Sequence, residues 1–309
     1  MGMKIEAVRT AFTQTLTELA AENPVIYAVA TDSRGSVTLT DFAAQLPAQF
    51  VECGIAEQNA IGVSAGLACA GLRPFVCGPA CFYTMRSAEQ VKVDVAYSHT
   101  NVKIIGVSGG VSYGALGTTH HATQDIALMR AIPGLEVYLP CDGAQMRQLT
   151  RYLAQSDEPA YVRMGRGAVP MVYEENPPFI PGKANRLRKG GDAAIIACGE
   201  TVYPSLQAAE LLSQGGIEVS VYDMHTLKPL DMEAVQEAAQ TGLIITVEEH
   251  SVYGGLGSAV AEVAVQNCPV HMKLLGLPDT KLFNGSSAEV FEHYGLTPAH
   301  IAKTVKESR

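Results

Sequence analysis

A glutamate, Glu57, follows the end of a predicted strand in the segment VECGIAEQNAIGVSAGLA, residues 51–68. The pattern predicts that a strand runs into Gly54 and that a helix begins near Ala56, so Glu57 lies in the first helical turn. Ligands of open α/β sheets bind outside the carboxyl ends of the strands. A carboxylate at this position also complements the positive end of a helix. Spacing alone therefore leaves a ligand-binding and a structural interpretation open.

Aromatic and cationic side chains occur together in the segment of residues 78–91, GPACFYTMRSAEQV. Phe82 and Tyr83 precede Arg86 there, after another predicted strand. An aromatic face suits a flat, electron-poor ring. An ordinary core aromatic is the alternative, and the segment alone does not decide between them.

Two further segments carry a histidine and an arginine that are suited to substrate binding. Residues 114–121, GALGTTHH, include His120 and contain glycines that permit a tight loop. Residues 160–167, AYVRMGRG, place Arg163 at the end of a predicted strand. Arginine binds phosphate in a bidentate manner. Taken singly, a loop histidine is usually just solvated.

The elements that would position these residues form an α/β pattern. Short runs rich in β-branched residues alternate with amphipathic stretches, which predicts parallel sheets covered by helices on both faces. A stretch rich in Pro, Gly and charge over 171–191 interrupts the pattern, and a second α/β series follows it. We therefore expect two doubly wound α/β domains, 1–187 and 188–309. The predicted strands are 25–30, 50–53, 74–77, 102–107, 136–139, 160–163, 193–197, 218–222, 243–247 and 270–275.

The composition excludes several classes of protein. The chain has 309 residues and a formal net charge of −9, without a Lys/Arg run, so nucleic acid and anionic membranes are not expected as partners. The first fifteen residues do not have the pattern of a signal peptide, and no apolar run reaches the roughly 18–20 residues that span a bilayer. Seven scattered cysteines without a CxxC pair argue against disulfides or a zinc site. We expect a cytoplasmic protein.

Several collinear motifs resemble one family of enzymes. The segment GIAEQN resembles the pyrimidine-domain signature of transketolases and deoxyxylulose-phosphate synthases, which use thiamine diphosphate. The resemblance continues through residues 127–143 (ALMRAIPGLEVYLPCDG), AYVRMGRG, 224–231 (MHTLKPLD) and 248–262 (EEHSVYGGLGSAVAE). The chain resembles most the stand-alone C-terminal subunits of split transketolases. The resemblance implies a pyrimidine-binding domain, residues 1–187, and a transketolase C-terminal-like domain, residues 188–309.

The resemblance implies a set of cofactor-binding residues. The family glutamate that matches Glu57 hydrogen-bonds the N1′ nitrogen of the aminopyrimidine, so that the cofactor's own exocyclic nitrogen becomes the base. A buried carboxyl group suits that task because desolvation disfavours its charged form. Tyr83 matches the aromatic that stacks on the pyrimidine, and Phe82 is the alternative if the register differs by one. Asp32 matches an aspartate near the cofactor, although a turn role is also open.

The resemblance also implies substrate contacts for a two-carbon ketol transfer between a ketose phosphate donor and an aldose. His120 matches the active-site histidine that contacts the substrate's oxygen functions. Arg163 matches an arginine that grips the substrate phosphate, and Arg9 fits a second phosphate-contacting arginine. Arg86 falls where the synthases carry a substrate-side arginine.

Two positions depart from the usual pattern of the family. Leu116 stands where typical transketolases have an aspartate that reads a substrate hydroxyl, and Ser108 stands where they have a histidine near the phosphate. The cofactor-activating residues are intact. The departures therefore predict an enzyme with an altered sugar-phosphate-like substrate.

The family's diphosphate-binding motif, GDG followed about 25–30 residues later by Asn, does not occur in the sequence. We therefore expect a separate diphosphate-binding N-terminal subunit that holds most of the Mg²⁺ coordination, in an α2β2 assembly, and no metal ligands in this chain. Two alternatives stay open. One is the β subunit of the decarboxylating component of a 2-oxo-acid dehydrogenase, and the other is a non-catalytic partner chain.

Overall fold

The computed structural model describes residues 4–309. Its first sheet has seven strands in the order β12-β6-β7-β5-β4-β2-β3, where β12 is Thr226–Lys228 and the ranges of the other six follow. All of its neighbouring strands are parallel except for the β12–β6 pair. The central strands are buried along their length because helices cover both faces. The strands that the first part of the chain supplies are β2 (Ile26–Ala30), β3 (Phe50–Glu52), β4 (Arg73–Pro79), β5 (Lys103–Val107), β6 (Glu136–Tyr138) and β7 (Ala160–Met164).

Helices and a small ribbon surround this sheet. The side chain of Asp142 accepts a hydrogen bond from the Gln145 backbone N–H and thereby fixes the start of the amphipathic helix α7. Strands β1 (Ile5–Ala7) and β8 (Ala168–Pro170) pair with each other as a separate ribbon. The helices are α1 (Val8–Glu22), α2 (Thr40–Gln45), α3 (Glu57–Cys69), α4 (Ala80–Arg86), α5 (Ala88–Gln90), α6 (Asp125–Ala131) and α7 (Gly143–Gln155), and α5 continues into π-helical turns over Val91–Tyr97.

The second sheet has five strands in the order β14-β13-β10-β11-β9, and β9 is its antiparallel member. Its strands are β9 (Asn185–Arg188), β10 (Ala193–Ala197), β11 (Val219–Asp223), β13 (Leu243–Ser251) and β14 (His271–Leu277). The helices that cover it are α8 (Val202–Ser213), α9 (Met232–Ala239), α10 (Leu256–Asn267), α11 (Ser287–His293) and α12 (Pro298–Ser308). The expected α/β architecture with two parallel sheets is confirmed.

The second part of the chain also contributes a strand to the first sheet. Strand β12 (Thr226–Lys228) crosses over and pairs with β6, so that Thr226 lies opposite Tyr138. The Lys228 ammonium group donates hydrogen bonds to the backbone carbonyls of Arg130, at 3.0 Å, and of Ile132. One apolar core runs through the junction of the two sheets. The two domains are therefore joined by backbone pairing as well as by packing.

The boundary between the domains stays a prediction at residues 187/188. Strand β9 (Asn185–Arg188) crosses that point and belongs to the second sheet. Within residues 4–309, no helix has the length and apolar character to cross a membrane.

Candidate functional site

Glu57 begins helix α3 and is buried, with 5% of its surface exposed. The chain reaches it from β3 through Gly54, whose φ of +68° lies in the left-handed region. The Glu52 carboxylate steadies this turn by accepting hydrogen bonds from the N–H groups of Asp32, at 2.7 Å, and of Gly54, at 3.1 Å. Arg86 donates a hydrogen bond to Oε1 of Glu57 at 3.0 Å. Its guanidinium is half exposed, so this contact can open without breaking the core.

Helix α4 presents Phe82 to the site and turns Tyr83 into the core. Successive helical residues point about 100° apart, so only one of the two rings can face the site. The Phe82 ring is half-buried and lies 3.9 Å from the Arg86 guanidinium carbon. The Tyr83 ring is fully buried, with its hydroxyl 3.3 Å from that of Thr31. A Cβ at Gly78 would lie 2.2 Å from the Tyr83 ring, so the ring depends on that glycine.

His120 lies between two aromatic rings at the end of the loop that follows β5. Its ring centroid is 5.4 Å from that of Phe82 and 5.2 Å from that of Tyr113, with edge-on geometry in both pairs. Its Nδ1 is 2.9 Å from the hydroxyl of Thr119. The loop needs glycine at Gly117, where φ is +71°. These contacts fix the plane of the imidazole ring.

Two arginines, Arg9 and Arg166, extend the site beyond Tyr113. The Arg166 guanidinium carbon lies 5.3 Å from the Tyr113 ring, and Arg9 donates a hydrogen bond to the Ser36 carbonyl at 2.6 Å. Nε of Arg9 and Nη1 of Arg166 are buried, and neither has a hydrogen-bond partner within residues 4–309. Burial, followed by the charge of Arg166, lowers the pKa of Arg9 from its ordinary value. Two neighbouring cations with free donors are suited to bind an anion.

Arg163 lies in the interior and already has charged partners there, so the phosphate role expected from its position stays a prediction that these contacts do not favour. It lies in β7, is 5% exposed, and is 3.5 Å from carboxylate oxygens of both Asp125 and Glu249. Its Nη2 also donates to the Glu249 backbone carbonyl at 2.6 Å. Burial opposes its charge, but these carboxylates raise its pKa above the ordinary value. Arg163 therefore holds the interior of the protein together.

Several carboxyl groups share this buried cation. Burial raises the pKa of Glu249 to about 8 and that of Glu200 to about 7, and in both cases Arg163 opposes the shift. The guanidinium lies 3.5 Å from carboxylate oxygens of both Asp125 and Glu249, so these two carboxyl groups share it directly. Within the described part of the chain, no cluster of three or more His, Cys, Asp and Glu side chains is arranged to hold a metal ion.

The remaining predicted positions lie at the margin of the site. Asp32 is exposed directly after β2, with a φ of +53°. Leu116 is 56% exposed on the loop that carries His120. Ser108 is buried after β5 with a φ of +61°, and its hydroxyl has no partner among the described residues. The structure thus keeps Leu116 in the open and Ser108 in the interior.

The site residues form a continuous row along the carboxyl edge of the first sheet, which we call the polar strip. Its members follow β3, β4, β5 and β7, except for Arg9 in α1. Tyr113 and Arg166 were not among the residues predicted from the sequence. Arg166 could have been found because it lies just beyond the end of β7, whereas Arg163 lies inside the strand. The polar strip consists of Glu57, Arg86, Phe82, His120, Tyr113, Arg166 and Arg9.

The fold and the polar strip together define an α/β protein with a candidate ligand site at the carboxyl edge of its first sheet. Comparison with protein families matches residues 6–171 to the pyrimidine binding domain of transketolase and residues 182–301 to the transketolase C-terminal domain. The chain therefore belongs to the transketolase family. The presence of this pyrimidine binding domain implies the use of thiamine diphosphate.

Two individual relatives are named as subunits of transketolases. The chain is 57% identical over 309 residues to one of the subunits of the apulose-4-phosphate transketolase of Phocaeicola vulgatus, with 99% of each chain covered. It is 38% identical to the 6-deoxy-6-sulfo-D-fructose transketolase subunit SqwH of Clostridium sp., covering 97% of this chain and 94% of that protein.

A solved structure described as a split gene transketolase, inactive beta4 tetramer, has 38% identity and a TM-score of 0.88, with 98% and 97% of the chains covered. This chain covers 47% of the transketolase of Campylobacter jejuni, which matches at 19% identity with a TM-score of 0.85 and shows the fold alone. The expected resemblance to the stand-alone subunits of split transketolases is confirmed.

Proposed function

We propose that this chain is the pyrimidine-binding subunit of a thiamine-diphosphate-dependent transketolase that moves a two-carbon ketol unit from a phosphorylated ketose to an aldose. The observation that carries the proposal is the polar strip. The polar strip combines two features on one edge of the same sheet. One is a buried carboxyl group, Glu57. The other is a pair of cations, Arg9 and Arg166, each with a donor that has no partner within residues 4–309. The first suits cofactor activation, and the second suits the phosphate end of a substrate.

The residues at one end of the polar strip fit the pyrimidine ring of the cofactor. When bound, thiamine diphosphate supplies the nucleophilic carbon that carries the ketol unit. Glu57 offers a buried carboxyl group that can hydrogen-bond the ring nitrogen N1′. Phe82, rather than Tyr83, offers the ring for stacking. The Arg86 guanidinium lies over the Phe82 ring, so it has to move aside when the pyrimidine stacks on that ring. Asp32 is a marginal contact, since it is exposed.

The other end of the polar strip binds the donor. His120 is held edge-on between Phe82 and Tyr113, so its ring can exchange hydrogen bonds with hydroxyl groups of the sugar. Arg9 and Arg166 bind the terminal anion. The sugars after which two relatives are named share such an anion, a phosphate in apulose 4-phosphate and a sulfonate in 6-deoxy-6-sulfo-D-fructose. Because the first relative is 57% identical, we propose apulose 4-phosphate as the first donor to test.

A separate diphosphate-binding subunit completes the enzyme in this proposal. It holds the diphosphate and most of the Mg²⁺ coordination, and the assembly is α2β2. Two relatives are named as one subunit of a transketolase, and the related beta4 tetramer is described as inactive. The start of α3 and the turns before Ser98 also expose large apolar side chains, among them Ile55, Val93 and Tyr97, which is 87% exposed. Gly66 on α3 has no neighbouring atom of the described chain within 4 Å of an added Cβ, so a second chain can approach closely.

The test is reconstitution with the diphosphate-binding subunit. The chain is purified alone and with that subunit, and ketol transfer is measured with thiamine diphosphate, Mg²⁺ and an aldose. The donors are apulose 4-phosphate, 6-deoxy-6-sulfo-D-fructose and xylulose 5-phosphate. We expect transfer only from the mixture, with apulose 4-phosphate as the best donor. Transfer by the chain alone would contradict the need for a partner, and oxidation of a 2-oxo acid without ketol transfer would contradict the reaction.

A further inference from the structure

The loop from Ser108 to Thr123 carries Tyr113, Leu116 and His120, yet the first domain holds little of its backbone. Gly109 N–H donates to the Met164 carbonyl of β7 at 2.9 Å. Within the loop, Gly110 and Ala122 pair with each other. Further anchors come from the second domain.

Strand β13 of the second domain holds both ends of the loop. At the start, the Val111 N–H donates to Oε1 of Glu249 at 2.7 Å. At the end, the Ser251 N–H donates to the Thr123 carbonyl at 2.9 Å. The middle of the loop lies against residues 284–286, since a Cβ on Gly114 would lie 3.2 Å from the Gly285 carbonyl oxygen and one on Gly117 would lie 2.6 Å from Oδ1 of Asn284.

Glu249 is the side chain in this set that joins the loop to the buried interior. It is 5% exposed, and its Oε2 lies 3.5 Å from Nη2 of Arg163 while its Oε1 holds the Val111 N–H. The loop is closely fitted to the pair. A Cβ on Gly110 would lie 2.2 Å from the Glu249 carboxyl carbon, and one on Gly109 would lie 2.2 Å from Nε of Arg163. A small displacement of Glu249 would therefore be passed to the loop.

We propose that Glu249 is a positioning residue through which the second domain fixes the loop that carries His120 and Tyr113. The inference rests on the proposed function only where it treats this loop as the donor-binding loop. The second domain is then part of the donor site, although its side chains lie outside the polar strip.

The first test measures hydrogen–deuterium exchange by mass spectrometry on the full chain, so it does not need an active enzyme. In Glu249→Ala, we expect amides of residues 109–123 to exchange about tenfold faster or more, because the Val111 contact is lost. In Glu249→Gln, which keeps an oxygen acceptor, most of the protection should return. The matched control is Glu248→Ala. Glu248 is the adjacent buried carboxyl and instead accepts hydrogen bonds from the N–H groups of Leu256 and Gly257.

Three outcomes would overturn the proposal. They are an unchanged exchange rate of the loop in Glu249→Ala, an equal increase in Glu248→Ala, or no recovery in Glu249→Gln. If Glu249→Ala does not fold, the Val111 amide proton is followed by NMR in Glu249→Gln. At pH 9, above the raised pKa of about 8 of Glu249, its resonance should lie upfield of the wild-type one because a neutral amide oxygen is a weaker acceptor than a carboxylate. An unchanged resonance at that pH would overturn the proposal.

The second test uses the complex with the diphosphate-binding subunit. We expect Glu249→Ala to raise the donor KM about tenfold while proton exchange at the cofactor's C2 stays at the wild-type rate, because Glu57 is untouched. An equal loss of donor binding and of proton exchange at C2 would overturn the positioning role. Absence of ketol transfer in the wild-type complex would contradict the proposed function, and the exchange result on the chain alone would still decide the role of Glu249.

Discussion

The carboxyl edges of the two sheets are built alike and used differently. On the first sheet, the polar strip ends in Arg9 and Arg166, which keep donors free within the described chain. On the second sheet, the acidic groups near the same edge have internal partners. Asp223 accepts hydrogen bonds from Gln145 at 2.6 Å and from Tyr173 at 2.7 Å, and Glu248 accepts them from the first turn of α10.

The difference shows that position at a sheet edge does not by itself identify a site. Strand ends of both sheets collect polar residues, but in the second domain those residues fasten it to the first domain and to its own helices. Both edges contain buried polar atoms without a partner among the described residues, at a cost in free energy. At the first edge they are the cationic donors Nε of Arg9 and Nη1 of Arg166, whereas near the second they include the carboxyl oxygens Oε1 of Glu200 and Oδ1 of Asp223.

Glu57→Gln should lower turnover about 10²- to 10⁴-fold in the complex with the diphosphate-binding subunit, because proton transfer to the cofactor ring is lost. The chain should still fold. Proton exchange at the cofactor's C2 is the direct measurement. The control is Glu248→Gln, another buried carboxyl near a strand end, which should change stability and leave C2 exchange intact. Unchanged C2 exchange in Glu57→Gln would show that this carboxyl only complements its helix.

Arg163→Met should lower the free energy of unfolding by about 3–5 kcal/mol, because Asp125 and Glu249 lose their buried cation. Urea unfolding followed by circular dichroism measures the change. Arg73→Met is the control, since its partner Asp157 is exposed and the pair should contribute less than about 1 kcal/mol. If Arg163→Met keeps full stability but weakens phosphorylated donors alone, the phosphate role expected from the sequence is right after all.

Arg166→Ala should reduce kcat/KM for a phosphorylated donor by roughly ten- to a hundredfold, equivalent to about 1.5–3 kcal/mol for a charge-assisted contact. Most of the change should be in KM, and an unphosphorylated analogue should lose little. Arg188→Ala removes a surface arginine that pairs with Glu218 in the second domain and serves as the control. Equal losses for both kinds of donor would exclude a phosphate contact.

Leu116→Asp should give the smallest effect, a change of about severalfold in donor preference. The exposed leucine offers no hydrogen-bond partner to a sugar hydroxyl, whereas the carboxylate of an aspartate would accept a hydrogen bond from one. The measurement is the ratio of kcat/KM for xylulose 5-phosphate to that for apulose 4-phosphate, with Leu116→Asn as the uncharged control. An identical ratio in wild type and Leu116→Asp would mean that this position does not select the donor.

Local patterns predicted much of the architecture and one end of the site. The strand predicted at 160–163 is β7 (Ala160–Met164), and Glu57 begins a helix after a strand as expected. The structure departs from the expected placements where one residue or one turn decides the outcome. Phe82 and Tyr83 differ by one helical step, and which ring faces the core depends on Gly78 and Thr31, which lie on or beside neighbouring strands.

Contacts between distant parts of the chain could not be read from local sequence. Arg163 was expected at a ligand because nothing near it in the sequence reveals Glu249, 86 residues away. Strand β12 was also not predicted. It is three residues long, and its partner β6 lies in the other domain. The hydrophobic periodicity of a segment indicates which of its side chains are buried, but it does not identify the segment that packs against them.

The crossing of β12 means that the two family segments cannot be separated with a cut in the sequence. A shortened chain that ends at residue 187 would lack β12, so β6 would become an outer strand with bare N–H and C=O groups. Such strands recruit other chains. The isolated first segment should therefore aggregate. A graft of the second segment onto another protein would carry β12, a strand whose pairing partner β6 stays behind in the first segment.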